Sequence, residues 1–389
     1  MIEKKIKKQL EYLLDKSPAV VLTGPRQVGK TTLALSIAQP QKGIYLDLEL
    51  PSNLAKVTDI EEYCRLNSDH LLIFDEIQHI PDLFAPLRGI IDERRRQGKK
   101  TGQFLFLGSA SMDLLKQTSE TLAGRIVYCE LFPLTVDEVP SNDLYKLWYR
   151  GGFPESFIAE NDEESLRWRL DFIKTYLERD IPQLGPRIPA ETLRRFWTML
   201  AHNQGQAFNA ASFAKGLEVK GITTSRYLDL MVDLLLVRRL ASWTSNSRKR
   251  LVKAPKTFVR DSGICHALLG IKTLDELLGH PVVGGSWEGF VIENIISSLP
   301  RYASYGYYKT AGGAEIDFVI DLGNQELWAI EIKRSLAPKI SKGFYIACED
   351  LKPTKKFIVY AGDERFPLAK DVEVISLRDI MHEINIASE

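Results

Sequence analysis

The stretch Ala19-Val20-Val21-Leu22-Thr23-Gly24-Pro25-Arg26-Gln27-Val28-Gly29-Lys30-Thr31-Thr32 decides how this chain folds. An apolar run of β type comes first, a glycine-bounded loop second, and the helix formers Leu33-Ala34-Leu35-Ser36-Ile37-Ala38 third. Every position satisfies the spacing G-x-x-x-x-G-K-[ST], the pattern of a loop that wraps a phosphate chain. Gly24 and Gly29 allow the backbone through Pro25, Arg26, Gln27 and Val28 to close around phosphate. The N–H groups of a helix starting at Lys30, Thr31 and Thr32 present partial positive charge to it. Lys30 is then expected to reach the outer phosphates of ATP, and the Thr31 hydroxyl to ligate Mg²⁺. A chance glycine turn would account for neither the strand before the loop nor the helix after it.

At 389 residues the chain is too long for one core of ordinary size and is expected to divide into two or three domains. Apolar residues make up 44% and charged residues 26%, the balance of a soluble globular protein. Lys plus Arg equals Asp plus Glu at 51 each, so any polyanion partner must be met by a local patch. Cys64, Cys129, Cys265 and Cys348 are scattered without a C-x-x-C pair and point to neither a zinc site nor a disulfide framework. The N-terminus, Met1-Ile2-Glu3-Lys4-Lys5-Ile6-Lys7-Lys8, has no signal-peptide apolar core. No stretch approaches the roughly 18 uninterrupted apolar residues of a membrane span, so a cytoplasmic protein without membrane contact is expected.

Strand and helix alternate through the first third, which favours a parallel sheet. Ile6, Leu10, Leu13 and Leu14 recur at helical spacing before the loop, and Gly43-Ile44-Tyr45-Leu46-Asp47-Leu48-Glu49 reads as a strand after its helix. Leu71-Leu72-Ile73-Phe74-Asp75-Glu76 is a buried strand ending in two carboxylates, the Walker B form. Asp75 is the candidate for holding Mg²⁺, and Glu76 for polarising the water that attacks the γ-phosphate. Phe104-Leu105-Phe106-Leu107-Gly108-Ser109-Ala110-Ser111 is a further buried strand. Ser109 or Ser111 would orient the attacking water there, although an ordinary strand-to-helix cap reads the same way. Arg125, in Leu122-Ala123-Gly124-Arg125, is the candidate charge-stabilising arginine, in cis or across a contact in a homo-oligomer; a surface salt bridge is the competing explanation.

The segments GPRQVGKTTLA, LLIFDEIQHIPD, FLFLGSAS, LAGRI, LFPLTVDEV and GGFPES follow one another in this order. With them the chain resembles the prokaryotic AAA-type P-loop ATPases that carry a C-terminal PD-(D/E)xK nuclease-like domain of unknown function. The resemblance covers essentially the whole chain, and its strongest motifs lie in the first third. It implies a P-loop fold of the additional-strand class. It implies no substrate.

Past Trp148-Tyr149-Arg150-Gly151-Gly152-Phe153-Pro154-Glu155 the βα rhythm stops, and Trp168 to Asp180 reads as an amphipathic helix. The expected architecture is α/β throughout. A P-loop NTPase sheet of AAA type, closed by a helical lid, spans 1–190. A winged helix-turn-helix spans 191–260, and a restriction-endonuclease-like α/β domain spans 261–389. In the middle domain three helical segments, Phe196 to Ala201, Ala210 to Leu217 and Ser225 to Leu236, precede a strand from Val237. Thr223-Thr224-Ser225-Arg226-Tyr227 would open a recognition helix on DNA; protein-contact modules use the same fold. From Arg238 to Arg260 there are eight basic residues and no acidic one, including Arg248, Lys249 and Arg250, with Trp243 and Phe258 interleaved. Such a run fits a phosphate-backbone footprint and tips the reading slightly toward DNA; a basic strand face paired with acidic neighbours from another domain is the alternative.

In the last domain, Gly312-Gly313-Ala314-Glu315-Ile316-Asp317-Phe318-Val319-Ile320 and Leu327-Trp328-Ala329-Ile330-Glu331-Ile332-Lys333 alternate around a Gly323-Asn324 turn. Period two places Glu331 and Lys333 on one face. Asp317 and Glu331 would share Mg²⁺, or Mn²⁺, while Lys333 orients or deprotonates the attacking water. Glu288, or second to it Glu293, would complete the acidic cluster from a helix beginning at Trp287. A plain hairpin with a polar outer face shows the same alternation. Two functions compete: an ATP-driven enzyme acting on DNA, and a nucleotide switch or partner-remodelling ATPase whose nuclease-like domain is a non-catalytic platform for a protein partner.

Overall fold

The computed structural model describes residues 2–40, 42–77, 80–109, 122–184, 188–244 and 250–388. The chain forms two compact units, Met1–Leu134 with Asp233–Leu235, and Thr135–Val232 with Leu236–Glu389. Strands are labelled here in chain order, and helices are given by their residues.

In the first unit β1 (Ala19–Gly24), β2 (Ile44–Asp47), β3 (Leu72–Asp75), β4 (Phe104–Ser109) and β5 (Ile126–Glu130) form one parallel sheet in the order β2-β3-β4-β1-β5. β4 therefore lies between the phosphate-loop strand and the Walker B strand, as the additional-strand class requires. The apolar run of β1 is buried at all six positions because helices cover both faces of the sheet. Ala19 and Val21 join a core with Phe74, Phe104 and Phe106. Val20 and Leu22 face the opposite core with Leu33, Ala34 and Ile37 of the helix Lys30–Ala38, and with Leu10 and Leu14 of the helix Ile6–Lys16.

The second unit begins before the expected boundary near residue 190. The helix Asp162–Thr175, which takes in part of the Trp168 to Asp180 segment expected to close the ATPase module as a lid, packs within this second unit, as does the helix Leu144–Arg150. Their buried polar groups explain why. The Trp148 indole donates to Ser286 Oγ (3.0 Å), Arg169 Nη1 donates to the Gly263 carbonyl (3.0 Å), and Asp261 Oδ2 accepts from Gly152 N (2.8 Å). A fully buried guanidinium such as that of Arg169 must find acceptors, and it takes the Gly263 carbonyl together with those of Ser165 and Tyr149.

The helices Ala190–His202, Ala210–Leu217 and Gly221–Asp233 come next, with a small antiparallel sheet of β6 (Gln206–Ala207), β7 (Val237–Leu240) and β8 (Lys256–Val259) in the order β6-β8-β7. The third helix starts four residues before the expected Ser225, its β-branched opening Ile222-Thr223-Thr224 having hidden it from a propensity reading.

The last sheet contains β9 (Ser304–Lys309), β10 (Glu315–Asp321), β11 (Leu327–Ile332), β12 (Lys355–Tyr360), β13 (Phe366–Ala369) and β14 (Val372–Ser376), in the order β13-β14-β12-β11-β10-β9. β9, β10 and β11 form an antiparallel meander, whereas β11, β12 and β14 run parallel. Gly323, Asn324 and Gln325 make the β10–β11 turn with positive φ, as Gly-Asn suggests. β9 does not stay an open edge. Trp243 N donates to Tyr307 O (2.6 Å), Tyr307 N to Ala241 O (3.0 Å) and Val252 N to Lys309 O (2.9 Å), so the chain between β7 and β8 covers it.

Candidate functional site

In the first unit the phosphate loop is built by left-handed backbone at two points, Gln27 (φ 61°) and Gly29 (φ 103°), the second of which caps the helix Lys30–Ala38. Gly24 is required for another reason: a Cβ there would stand 2.7 Å from the Leu131 carbonyl oxygen. Lys30 Nζ donates to the carbonyls of Gly24 and Pro25, both at 2.9 Å, and so lies across the loop. Burial pushes its ammonium down to about 8, against the opposing charges of Glu76 and Asp75.

Thr31 Oγ1 donates to Asp75 Oδ2 at 2.7 Å, which brings together the hydroxyl and the carboxylate expected to hold Mg²⁺. These residues fit the ion: a hydroxyl at a helix start beside a buried strand-end carboxylate is the hard oxygen set it takes. Glu76 follows in the left-handed region (φ 53°), its N–H donating to Asp75 Oδ1 at 2.9 Å. A glutamate in that conformation carries strain of the kind that collects at functional sites.

The sequence reading missed Tyr45. Its hydroxyl donates to the same Asp75 Oδ2 at 2.7 Å, and burial, then the Asp75 carboxylate, holds the phenol well above its ordinary range. β2 runs beside β3 with Tyr45 opposite Ile73 and Asp47 opposite Asp75, so period two places Tyr45 on the Asp75 face. That signal needs the strand order, which the sequence alone does not supply. Arg125 is engaged elsewhere: its Nε and Nη2 donate to Asp92 Oδ1 and Oδ2, each at 2.8 Å, the salt bridge that competed with the catalytic assignment. Ser109 ends β4 opposite Gly24. Its side chain, and Ser111 altogether, lie outside the described residues.

In the second unit the predicted acidic residues do converge. Glu288 on the helix Val283–Ser298, Glu315 and Asp317 on β10, Glu331 on β11 and Lys333 just past it line a cleft of about 460 Å³. Lys333 Nζ donates to Glu331 Oε1 (2.7 Å), and Asp317 Oδ2 accepts from Ile332 N (2.9 Å). Burial, then the Asp317 charge, pushes both Glu288 and Glu331 up to about 7.

The centre of this cleft is not left to a metal ion. Lys256, the first residue of β8, places its ammonium 2.9 Å from Glu288 Oε1, 3.1 Å from Glu315 Oε1 and 3.9 Å from Asp317 Oδ1. Among the described residues no group of three or more His, Cys, Asp or Glu is arranged to hold a metal. The donor set at Glu288, Asp317 and Glu331 therefore does not fit a divalent ion in this arrangement, contrary to the expectation from the alternating strands.

Half of the acid-free basic run is also paired internally. Arg238 Nε and Nη2 donate to Glu293 Oε1 (2.6 Å) and Oε2 (2.9 Å), and Arg260 Nε donates to Oε2 (2.9 Å). Arg239 pairs with Asp229. Glu293, the second choice for the acidic cluster, is thereby removed from it. Four of the eight basic residues thus serve the paired-face reading rather than a phosphate footprint; Arg248 and Lys249 lie outside the described residues. Among the described residues no helix is long and apolar enough to cross a membrane.

Residues 16–140 match the AAA domain family, and 141–275 and 283–380 match two families described as domains of unknown function. The uncharacterized proteins Rv2008c of Mycobacterium tuberculosis and Mb2031c of Mycobacterium bovis are each 42% identical over 373 residues, covering 96% of this chain and 83% of theirs. Among solved structures, a Walker-type ATPase of Pyrococcus abyssi is similar in fold, with 15% identity and a TM-score of 0.51 over 69% of this chain and 96% of that one. The strand order, the phosphate loop and these matches agree, and the chain belongs to the same family as the two mycobacterial proteins, that of P-loop ATPases with an AAA domain and a C-terminal domain of unknown function.

Proposed function

We propose that the chain binds and hydrolyses Mg-ATP in its first unit and uses the cycle to act on DNA. In this reading the second unit combines a winged-helix-like module with a nuclease-like domain. The observation that carries the ATPase assignment is the Thr31–Asp75 contact beside the buried Lys30, with Glu76 following Asp75. Lys30 and the loop N–H groups bind the phosphate chain, Thr31 and Asp75 hold the ion, and Glu76 polarises the attacking water.

DNA is the favoured target on two grounds. A helix, the short strand β6, two further helices and then β7 and β8, paired in the order β6-β8-β7, support a winged-helix layout, and Lys215, Lys220 and Arg226 are exposed on or beside its second and third helices. A nuclease-like fold is supported by the placing of Glu288, Asp317, Glu331 and Lys333 around one cleft. Cleavage forms no part of the proposal, because Lys256 stands among the carboxylates. The same lysine, together with the internal pairing of Arg238, Arg239 and Arg260, favours a second reading, in which the second unit is a platform for a protein partner.

ATP turnover measured with and without duplex, branched and single-stranded DNA separates the two. Stimulation by DNA that is lost in the combined variant Lys215→Ala, Lys220→Ala, Arg226→Ala is expected for the first. Turnover indifferent to every DNA, with no binding at low salt, would replace it by the second.

A further inference from the structure

We infer that Lys256 is the resident cation of the acidic cleft, a built-in counter-ion standing where a divalent metal would, so that this domain takes no Mg²⁺ or Mn²⁺ there. The inference rests on reading the helix Val283–Ser298 with β10 and β11 as nuclease-like, and it corrects the chemistry expected of that fold at this point.

Three features make the lysine part of the site rather than a passing side chain. It is only 6% exposed, and three carboxylates from two elements surround its ammonium, Glu288 from the helix and Glu315 and Asp317 from β10. The Tyr307 ring lies beneath it at 5.4 Å, adding a cation–π contact. Its backbone is fixed on both sides, since β8 is the middle strand of its sheet, with Lys256 paired to Ala207 and to Leu240.

The approach to β8 is held as well. The Tyr307 hydroxyl donates to the Ala254 carbonyl, and Val252 N donates to Lys309 O at 2.9 Å, tying the segment before Lys256 to β9. A retractable plug would sit on a free loop, whereas this lysine sits at the start of a central strand. A divalent ion entering between Glu288 and Asp317 would meet an ammonium 2.9 Å from the first and 3.9 Å from the second. Like charges that close, in a partly buried setting, exclude one another. Lys256 thus answers Glu288, Glu315 and Asp317, while Lys333 answers Glu331, so the carboxylates of the cleft have side-chain counter-charges of their own.

Mn²⁺ titration of the nucleotide-free full-length protein, followed by the loss of the free-ion electron paramagnetic resonance signal, tests this. The wild-type protein and Asp317→Asn are expected to titrate alike, because no ion binds at Asp317. Lys256→Met is expected to gain one site, bound at least about tenfold more tightly than anything in the wild-type protein. That site should vanish in the double variant Lys256→Met, Asp317→Asn. If Lys256→Met does not fold, Lys256→Gln, which keeps a donor toward Glu288 while removing the charge, is judged by the same criteria. A site in the wild-type protein that Asp317→Asn abolishes would overturn the counter-ion and leave the nuclease-like reading standing. A folded Lys256→Met or Lys256→Gln that gains no site would overturn the counter-ion from the other side. The wild-type and Asp317→Asn comparison decides the matter even if neither lysine variant folds.

Discussion

Glu293→Gln gives a direct measure of how the basic run is used. The Glu293 carboxylate is 11% exposed and lies between Arg238 and Arg260, whose side chains are 14% and 6% exposed. Burial alone would raise its pKa, but the two guanidiniums outweigh burial and hold it below the ordinary glutamate range. Replacing it with the neutral amide keeps the shape and takes from two buried guanidiniums the carboxylate they share. Removing one partner of a buried ion cluster costs about 3–5 kcal/mol. In a unit of this size each kcal/mol moves Tm by roughly 2–4 °C, so the second unit should melt about 6–20 °C lower. The assay is calorimetry, with ATP added to identify the transition that belongs to the first unit. The wild-type protein should also show the matching pH dependence. A carboxyl depressed in the folded state stabilises above its unfolded value near 4.5, and that stability disappears as the pH falls through the folded value. A Glu293→Gln variant melting within about 1 °C of wild type, against the 6 °C minimum expected, would show that the arginines are not committed to Glu293 and would reopen the phosphate-footprint reading.

Three further outcomes follow from the nucleotide site. Because burial holds the Lys30 ammonium down to about 8, the free protein loses that charge as the pH rises through 8, whereas bound phosphate restores it. ATP affinity should therefore fall by up to roughly tenfold per pH unit above 8, with proton uptake on binding visible by calorimetry in buffers of different ionisation enthalpy; flat affinity from pH 7 to 9.5 would refute it. Tyr45→Phe removes one of two hydroxyl donors to Asp75 Oδ2, a bond to a charged group worth about 1.5–3 kcal/mol. The Mg²⁺ concentration needed for nucleotide binding should rise while metal-free ATP affinity holds, and equal loss of both would make Tyr45 merely structural. Gly24→Ala sets a Cβ 2.7 Å from the Leu131 carbonyl, so nucleotide binding should be lost from a protein that still melts cooperatively; wild-type affinity would contradict the loop geometry.

The first unit was legible because its signals are local. A phosphate loop fixes strand, turn and helix within fourteen residues, and the buried runs around Phe74 and Phe106 announce their strands by composition alone. Tyr45 was not legible, since its meeting with Asp75 depends on β2 being the neighbour of β3. In the second unit the period-two pattern placed Asp317, Glu331 and Lys333 in one cleft, with Glu288 arriving from its helix as expected. What the pattern did not carry was Lys256, about thirty positions before Glu288 and on a different sheet, because nothing near it in sequence marks its partner. The basic run hid its pairing for the same reason. Its acid partners, Glu293 and Asp229, lie outside the run, and charge counted along a chain does not show which side chains are neutralised across a fold.

The central claim is ATP hydrolysis governed by Glu76, and release of phosphate from radiolabelled ATP under single-turnover conditions tests it most directly. With Mg²⁺ present, wild-type protein should convert bound ATP to ADP. Glu76→Gln should bind ATP as tightly and cleave it at least about a hundredfold more slowly, the contribution expected of a positioned base. Lys30→Ala should bind neither nucleotide. Hydrolysis by Glu76→Gln at the wild-type rate would contradict the account.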